Sequence, residues 1–238
     1  MNNETGYKHY ISLGYFCSVA MELERIGLRS ASYPFDWLVT PRMSSVMEMI
    51  ETHFEGFLEE NCLRLKDGSD KIYINSRTGF SFVHDFVGKK SLSEQIDSVR
   101  QKFERRIERF YRDIEEPTLF VRYISDELID SDGRYEDLGW IEDNYEHVLD
   151  VLKSFNADSD IIWIANSSIR PDALPRLYIV DKDENDTVAR RPLDRNKELN
   201  GLLMSVDYPE RVANLQIYER KQRKQKSLVN RIRNHFAG

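Results

Sequence analysis

The residue with the most chemical promise is Cys17. It follows Tyr10-Ile-Ser-Leu-Gly14, a short strand ending in glycine. It precedes Val19, Ala20, Leu23 and Ile26, which recur at helical spacing up to Gly27. The thiol therefore falls in the first turn of a helix. Unpaired backbone N–H groups and the positive end of the helix dipole favour thiolate there, the nucleophilic form. A strand, glycine turn and helix in succession also present a side chain at the carboxyl edge of a sheet, where α/β proteins build sites. A small buried residue is the alternative, since free cysteine is among the most buried types.

His84 is the second candidate. Alternation over residues 80–86 puts it on one face with Phe80, Phe82 and Phe86, the pattern of a packed core histidine. If the strand ends at His84, the imidazole could serve as base for Cys17, with Asp36 or Asp85 orienting the ring. The arginines form a third set. Arg100, Arg105, Arg106, Arg109 and Arg112 decorate one helix, most of them on a solvated face with Glu104 and Glu108. Arg122 stands inside the apolar strand 119–124 and needs a partner there, because burying a lone charge is expensive. That partner is a structural carboxylate such as Asp36, or an anionic substrate.

Asp181 and Asp183 follow a strand and could hold a divalent metal that neutralises a diphosphate leaving group. With Glu184-Asn185-Asp186 they read equally as an acidic turn. His9, His53, His147 and His235 have no metal-ligand spacing, and no cofactor is expected. The chain has no Gly-x-Ser-x-Gly, no Gly-rich phosphate loop and no Cys-x-x-Cys. Serine-hydrolase, P-loop and zinc-ribbon readings lose their support.

The elements that must position these residues are legible in part. Thr40-Pro41 reads as an N-cap with proline at the first helical position, opening a helix through Val46, Met47, Ile50, Phe54, Phe57 and Leu58. Residues 71–75 and 80–86 form a hairpin across Ser76-Arg-Thr-Gly79. Ser91-x-x-Glu94 is a capping box for a helix carrying Ile96, Val99, Phe103, Ile107, Phe110 and Ile114, and Pro117 ends it. A buried-type strand at 118–124, a helix through residues 138–155 and a strand at 160–165 make a parallel crossover. The next strand, 176–180, arrives too soon for a helical crossover and is expected to be antiparallel or at an edge. A helix near 196–204 follows. The fold class is α/β, a layered and mostly parallel sheet flanked by helices in Rossmann-like manner, with an antiparallel hairpin. The alternative is a papain-like α+β arrangement.

At 238 residues with 40% hydrophobic content, one domain over 1–215 with a basic helical tail over 216–238 suffices. From Glu219 onward seven Lys/Arg oppose one Glu, a charge of +6, so a chain of net −7 leaves −13 for the rest. So acidic a body disfavours nucleic acid as a specific partner. The tail is a solvated helix, or a contact to a membrane surface, a nucleic acid or an acidic protein. Two cysteines are too few for a disulfide scaffold, and residues 1–8 have no apolar signal region, so a reducing cytoplasm is expected.

Taken in order, Ser12-Leu-Gly-Tyr-Phe-Cys17, Tyr33-Pro-Phe-Asp-Trp37, His84-Asp-Phe86, Lys102-Phe-Glu-Arg-Arg-Ile-Glu-Arg-Phe110 and Phe120-Val-Arg122 resemble a bacterial family of unknown function. Its members are labelled papain-like cysteine peptidases, and the likeness runs over residues 10–124 and more loosely beyond. The resemblance implies Cys17 as nucleophile and His84 as its partner, with Asp36 and Asp85 as further catalytic candidates. Arg122, Arg106 and Trp37 become the candidate substrate contacts. Family members often stand beside surface-polysaccharide genes, which implies a small-molecule or glycan substrate. A papain-type site has a Gln-like oxyanion donor before the nucleophile; none precedes Cys17, and backbone N–H groups at the helix start would take its part. The leading expectation is a cysteine-dependent hydrolase or acyltransferase. The alternatives are a sugar or phosphate-sugar transferase of envelope assembly that binds its anionic donor on Arg122, and a non-catalytic accessory protein docked by its tail.

Overall fold

The computed structural model describes residues 6–169, 174–183 and 189–236, with the side chains of the last helix described as far as residue 227. In chain order the first elements are β1 (His9–Ser12), α1 (Ser18–Arg25), β2 (Leu38–Val39), α2 (Met43–Glu51), β3 (Leu63–Leu65), β4 (Tyr73–Asn75), β5 (Ser81–Phe82) and α3 (Ile96–Asp113). There follow β6 (Thr118–Tyr123), α4 (Glu136–Asp143), α5 (Tyr145–Phe155), β7 (Asp160–Asn166), β8 (Leu177–Val180), α6 (Pro192–Arg195), α7 (Lys197–Met204) and α8 (Arg211–Phe236).

The main sheet has the order β1-β6-β7-β8 and every pairing is parallel. Its strands alternate between two cores because successive side chains point to opposite faces. Leu119, Val121, Tyr123, Ile162 and Ile164 face one core with Val19 and Leu23 of α1 and Leu199 and Leu203 of α7. Phe120, Ile124, Ile161, Trp163 and Ala165 face the other, shared with α2, α3, α4 and α5. β6 is buried along its whole length, which is why its sequence shows no polar alternation except Arg122. The result is a layered α/β architecture, and the α+β alternative is not adopted.

A second, antiparallel sheet, β2-β5-β4-β3, is inserted between α1 and α3. Phe57, Phe80, Phe82 and Phe103 join it to α3, with ring centroids 5.1–6.2 Å apart. The expected hairpin is there, turning through Gly79, but β5 stops at Phe82.

Four points add to or depart from these expectations. β8 lies at an edge as expected but runs parallel to β7, although only residues 167–176 connect them. The helix through 138–155 is two helices, parted at Asn144, whose side-chain amide donates to the Trp140 carbonyl at 2.8 Å. Thr40 does not cap α2, which begins at Met43; its hydroxyl accepts from Arg122 Nη1 at 2.7 Å instead. The last helix starts at Arg211, ahead of the boundary drawn at 216.

Candidate active site

Cys17 occupies the N-cap position of α1, with φ −69° and ψ −11°, and its carbonyl accepts from the Met21 N–H at 3.0 Å. The turn that delivers it is gripped from two sides. Tyr15 N–H donates to the Tyr123 carbonyl at 3.3 Å, and the Tyr15 carbonyl accepts from Thr40 N–H at 2.6 Å. Gly14 has φ +90°, and a Cβ placed on it would lie 2.1 Å from Thr40 Oγ1 and 3.1 Å from Arg122 Nη1. Only glycine admits so close an approach in that conformation. The Cys17 side chain is half-buried. Burial pushes its thiol up, while its own backbone N–H and the Arg190 guanidinium pull the other way and do not prevail. The helix start was expected to hold a standing thiolate; desolvation outweighs it, because a charged sulfur loses more hydration than the first turn returns.

His84 does not join the aromatic face. Phe80, Phe82 and Phe86 are buried, but with β5 over at Phe82 the chain bends, and the imidazole emerges into solvent. It meets Trp37 edge-on, with ring centroids 6.3 Å apart. Among the described residues no hydrogen bond joins it to Cys17, and neither expected orienting carboxylate bonds to its ring.

Both carboxylates are turned inward. Asp36 is fully buried; its Oδ2 accepts from Arg29 Nε and Nη2 at 3.0 and 2.6 Å and from Tyr33 N–H at 2.8 Å. Burial raises its pKa, and the Arg29 guanidinium opposes that rise. Asp85 Oδ1 accepts from Lys102 Nζ at 2.6 Å, with Arg106 Nη1 3.9 Å away. Burial lowers the pKa of Arg106 against the pull of Asp85 and Asp36. Arg106, expected to contact substrate, thus sits between the two carboxylates from α3, and Arg29 stacks 5.3 Å from the Trp37 ring centroid. This network ties the Pro34-Phe-Asp-Trp37 loop to the His84-Asp-Phe86 bend. It positions Trp37 and His84; it does not contain a triad.

Arg122 departs furthest from the substrate-contact expectation. It is fully buried, and Nη1 donates to the Leu13 carbonyl and Thr40 Oγ1 at 2.9 and 2.7 Å. Nη2 donates to the Thr40 carbonyl and to Asp137 Oδ2, both at 2.8 Å. The carboxylate that meets it is Asp137 rather than Asp36, and Asp137 also accepts from Met43 N–H and Ser125 N–H. Arg122 lies on the inner face of β6 beneath the Cys17 turn, out of reach of any ligand.

At the end of β8, Asp183 accepts from Arg195 Nη2 at 2.6 Å and from Arg190 N–H at 3.0 Å. That carboxylate is engaged by Arg195 and the Arg190 N–H, and no group of three or more metal-ligating side chains occurs among the described residues. The continuation of that acidic run, residues 184–186, lies outside them, as do residues 1–5 of the leader reading.

The first turns of α8 are docked on α1. Asn214 Nδ2 donates to the Gly27 carbonyl at 3.1 Å, and Lys221 Nζ to Glu24 Oε1 at 2.6 Å. Between α1, the Trp37 loop and α8 lies a cavity of 480 Å³, within the range that takes small-molecule ligands. Met21, one turn beyond Cys17, lines it together with Trp37, Arg190, Arg191, Tyr218 and Lys221. Sequence reasoning missed Arg29, Asp137 and Arg190, whose partners are brought near only by the fold, and it missed α8 as a wall of this cavity. The amphipathic spacing of Arg211, Asn214, Leu215, Tyr218 and Gln222, the partly covered positions of α8, was the available signal.

Residues 8–132 match the family described as "Putative papain-like cysteine peptidase (DUF1796)". A protein of Acanthamoeba polyphaga mimivirus, named "Uncharacterized protein R408", is 30% identical over 162 residues, covering 55% of this chain and 71% of that protein. No solved structure matches the chain. No helix among the described residues is long and apolar enough to cross a membrane. Matched over more than half its length, the chain belongs to this family.

Proposed function

We propose that this member of the family carries out cysteine-dependent acyl chemistry, hydrolysis or acyl transfer, at Cys17. Sγ attacks the carbonyl carbon of the substrate as the thiol proton passes to the His84 imidazole. The oxyanion is met by first-turn N–H groups of α1, which have no intrahelical acceptor. The leaving group departs with the proton from His84, and the thioester passes its acyl group to water or to an acceptor hydroxyl. Because burial keeps the resting thiol protonated, the attack needs a base in the same step. His84 is exposed and meets Trp37 edge-on without a hydrogen bond to Cys17, so its ring must move to serve. Catalytic hydrogen bonds that tighten only with substrate bound are common.

The observation that carries this reading is the placement of a half-open thiol at the start of α1, on a turn fixed by Gly14, Thr40 and Arg122. The cavity of 480 Å³ one helical turn from it, reached through Met21, favours a small-molecule or glycan acyl substrate over a folded protein. The transferase reading loses its donor site, since Arg122 is occupied in the interior. The test is a panel of activated esters, thioesters and amides followed by intact-mass analysis. An acyl adduct on wild-type protein that disappears in Cys17→Ser supports the proposal. Turnover surviving in Cys17→Ala, or no adduct from any member of the panel, refutes it.

A further inference from the structure

The last helix outruns the surface it docks on. α8 lies against the body through one stripe, in which Arg211, Asn214, Leu215, Tyr218 and Gln222 are partly covered at helical spacing. It runs along α1 toward the end that carries Cys17: Asn214 bonds to Gly27, Lys221 to Glu24, and Gln225 shares a cavity with Met21. Past Gln222 the cover stops, and residues 223–227 are all exposed. The helix nonetheless continues to Phe236, a further length of about 20 Å.

Two features of this overhang specify a partner. The first is charge. After Glu219 the sequence has seven Lys/Arg and no carboxylate. Lys221 is paired with Glu24 and Arg223 with Glu219, whereas Arg220, Lys224 and Lys226 form no ion pair among the described residues. The second is periodicity. The sequence continues the stripe with Gln225, Leu228, Val229, Ile232 and Phe236, and at helical spacing the four apolar positions share an arc of about 100°. Positions Lys224 and Arg231 border that arc on one side, Lys226 and Arg233 on the other. An apolar arc bordered by cations is the pattern of a helix lying in the plane of an anionic lipid surface. A second copy of the helix would bring like charges to the same borders, and the arc is too short for a coiled-coil seam. A nucleic acid would use the cations and leave the apolar arc in water.

We propose that residues 223–236 dock the chain on an anionic membrane surface, lying along it with the apolar arc at the acyl boundary. The rest of the chain, at −13 against the +6 of the tail, is repelled by the same surface, which confines the contact to this helix. The lipid contact does not rest on the chemistry of Cys17.

Co-sedimentation of the full chain with vesicles tests it, using phosphatidylcholine alone and phosphatidylcholine mixed with phosphatidylserine. The chain should bind the mixed vesicles and not the neutral ones, and added salt should weaken the binding. Hydrogen exchange over residues 223–236 should slow on the mixed vesicles. Lys224→Gln with Lys226→Gln, both at exposed positions, should lower the partition coefficient roughly thirtyfold, about fivefold for each charge removed. Ile232→Gln, at unchanged charge, should also lower it severalfold, which a contact made by charge alone would not show. Equal binding to both kinds of vesicle, no binding to either, or binding indifferent to the charge variant or to Ile232→Gln overturns the proposal. Retention on duplex DNA without vesicle binding overturns it in favour of a nucleic acid.

Discussion

Replacing Arg122 with methionine tests whether that arginine builds the site from below or contacts a ligand. The substitution removes four donated hydrogen bonds, to the Leu13 carbonyl, Thr40 Oγ1, the Thr40 carbonyl and Asp137 Oδ2. Methionine fills much of the volume, so the cavity term is small and the loss is chiefly polar. Asp137, itself buried, keeps its bonds from Met43 N–H and Ser125 N–H but loses its cation. Breaking a buried pair from one side costs about 3–5 kcal/mol, because the surviving charge is stranded. In a chain of this size each kcal/mol moves the midpoint by about 2–4 °C, so Tm should fall by roughly 6–20 °C. Urea unfolding followed by far-ultraviolet circular dichroism measures the loss directly. The double variant Arg122→Met with Asp137→Leu strands no charge but leaves the Met43 and Ser125 N–H groups without their acceptor, so it should recover only part of the loss. A single variant within about 1 kcal/mol of wild type would refute this reasoning.

Gly14→Ala should destabilise the fold by roughly 2–5 kcal/mol, combining a strained positive φ with a methyl group 2.1 Å from Thr40 Oγ1, and chemical denaturation reads it. Gly27→Ala should loosen α8, because the new methyl meets the Arg211 carbonyl at 2.7 Å at φ +76°; limited proteolysis should then cut within 211–236 sooner than in wild type. Alkaline unfolding should be cooperative. Burial raises Tyr123 and Tyr208 to about 12, and Tyr15, Tyr33 and Tyr111 further still. Their protonated forms stabilise the fold fully below the unfolded phenol value of about 10, and that stability is lost as pH rises through the folded values. Tyrosinate absorbance of these residues should therefore appear together with unfolding; their titration near pH ~10 with circular dichroism unchanged would contradict the burial assigned to them.

The parts of the fold written in local pattern were legible. The apolar run of β6, the three-and-four spacing of α3 and the turn at Ser76-Arg-Thr-Gly79 each specify an element without reference to the rest of the chain. What escaped depends on partners distant in sequence. Thr40 reads as a helix cap until Arg122 claims its hydroxyl from 82 positions away. The direction of β8 is set by its edge pairing with β7, which no periodicity encodes. The site divides in the same way. Cys17 was located at the start of α1 from spacing alone, since strand, glycine and helix are all local signals. The state of its thiol was not, because desolvation arises from the packing around it. His84 was misplaced for want of two residues of strand, and Asp36 and Asp85 were read as orienting groups because the cations that occupy them, Arg29 and Lys102, lie on other elements.

The most direct measurement of the central claim is site-resolved alkylation of Cys17 and Cys62 across pH, in wild type and in His84→Ala. Free Cys62, likewise partly exposed, serves as the internal reference. Cys17 should be modified in the folded wild-type protein, more readily by a substrate-like acyl electrophile than by iodoacetamide. His84→Ala should slow modification of Cys17 by the substrate-like acyl electrophile several-fold near pH ~7.5, below the ordinary thiol range of about 8.5, and leave Cys62 unchanged. Labelling of Cys62 with Cys17 inert to both reagents, or a Cys17 acylation rate indifferent to His84→Ala, would contradict it.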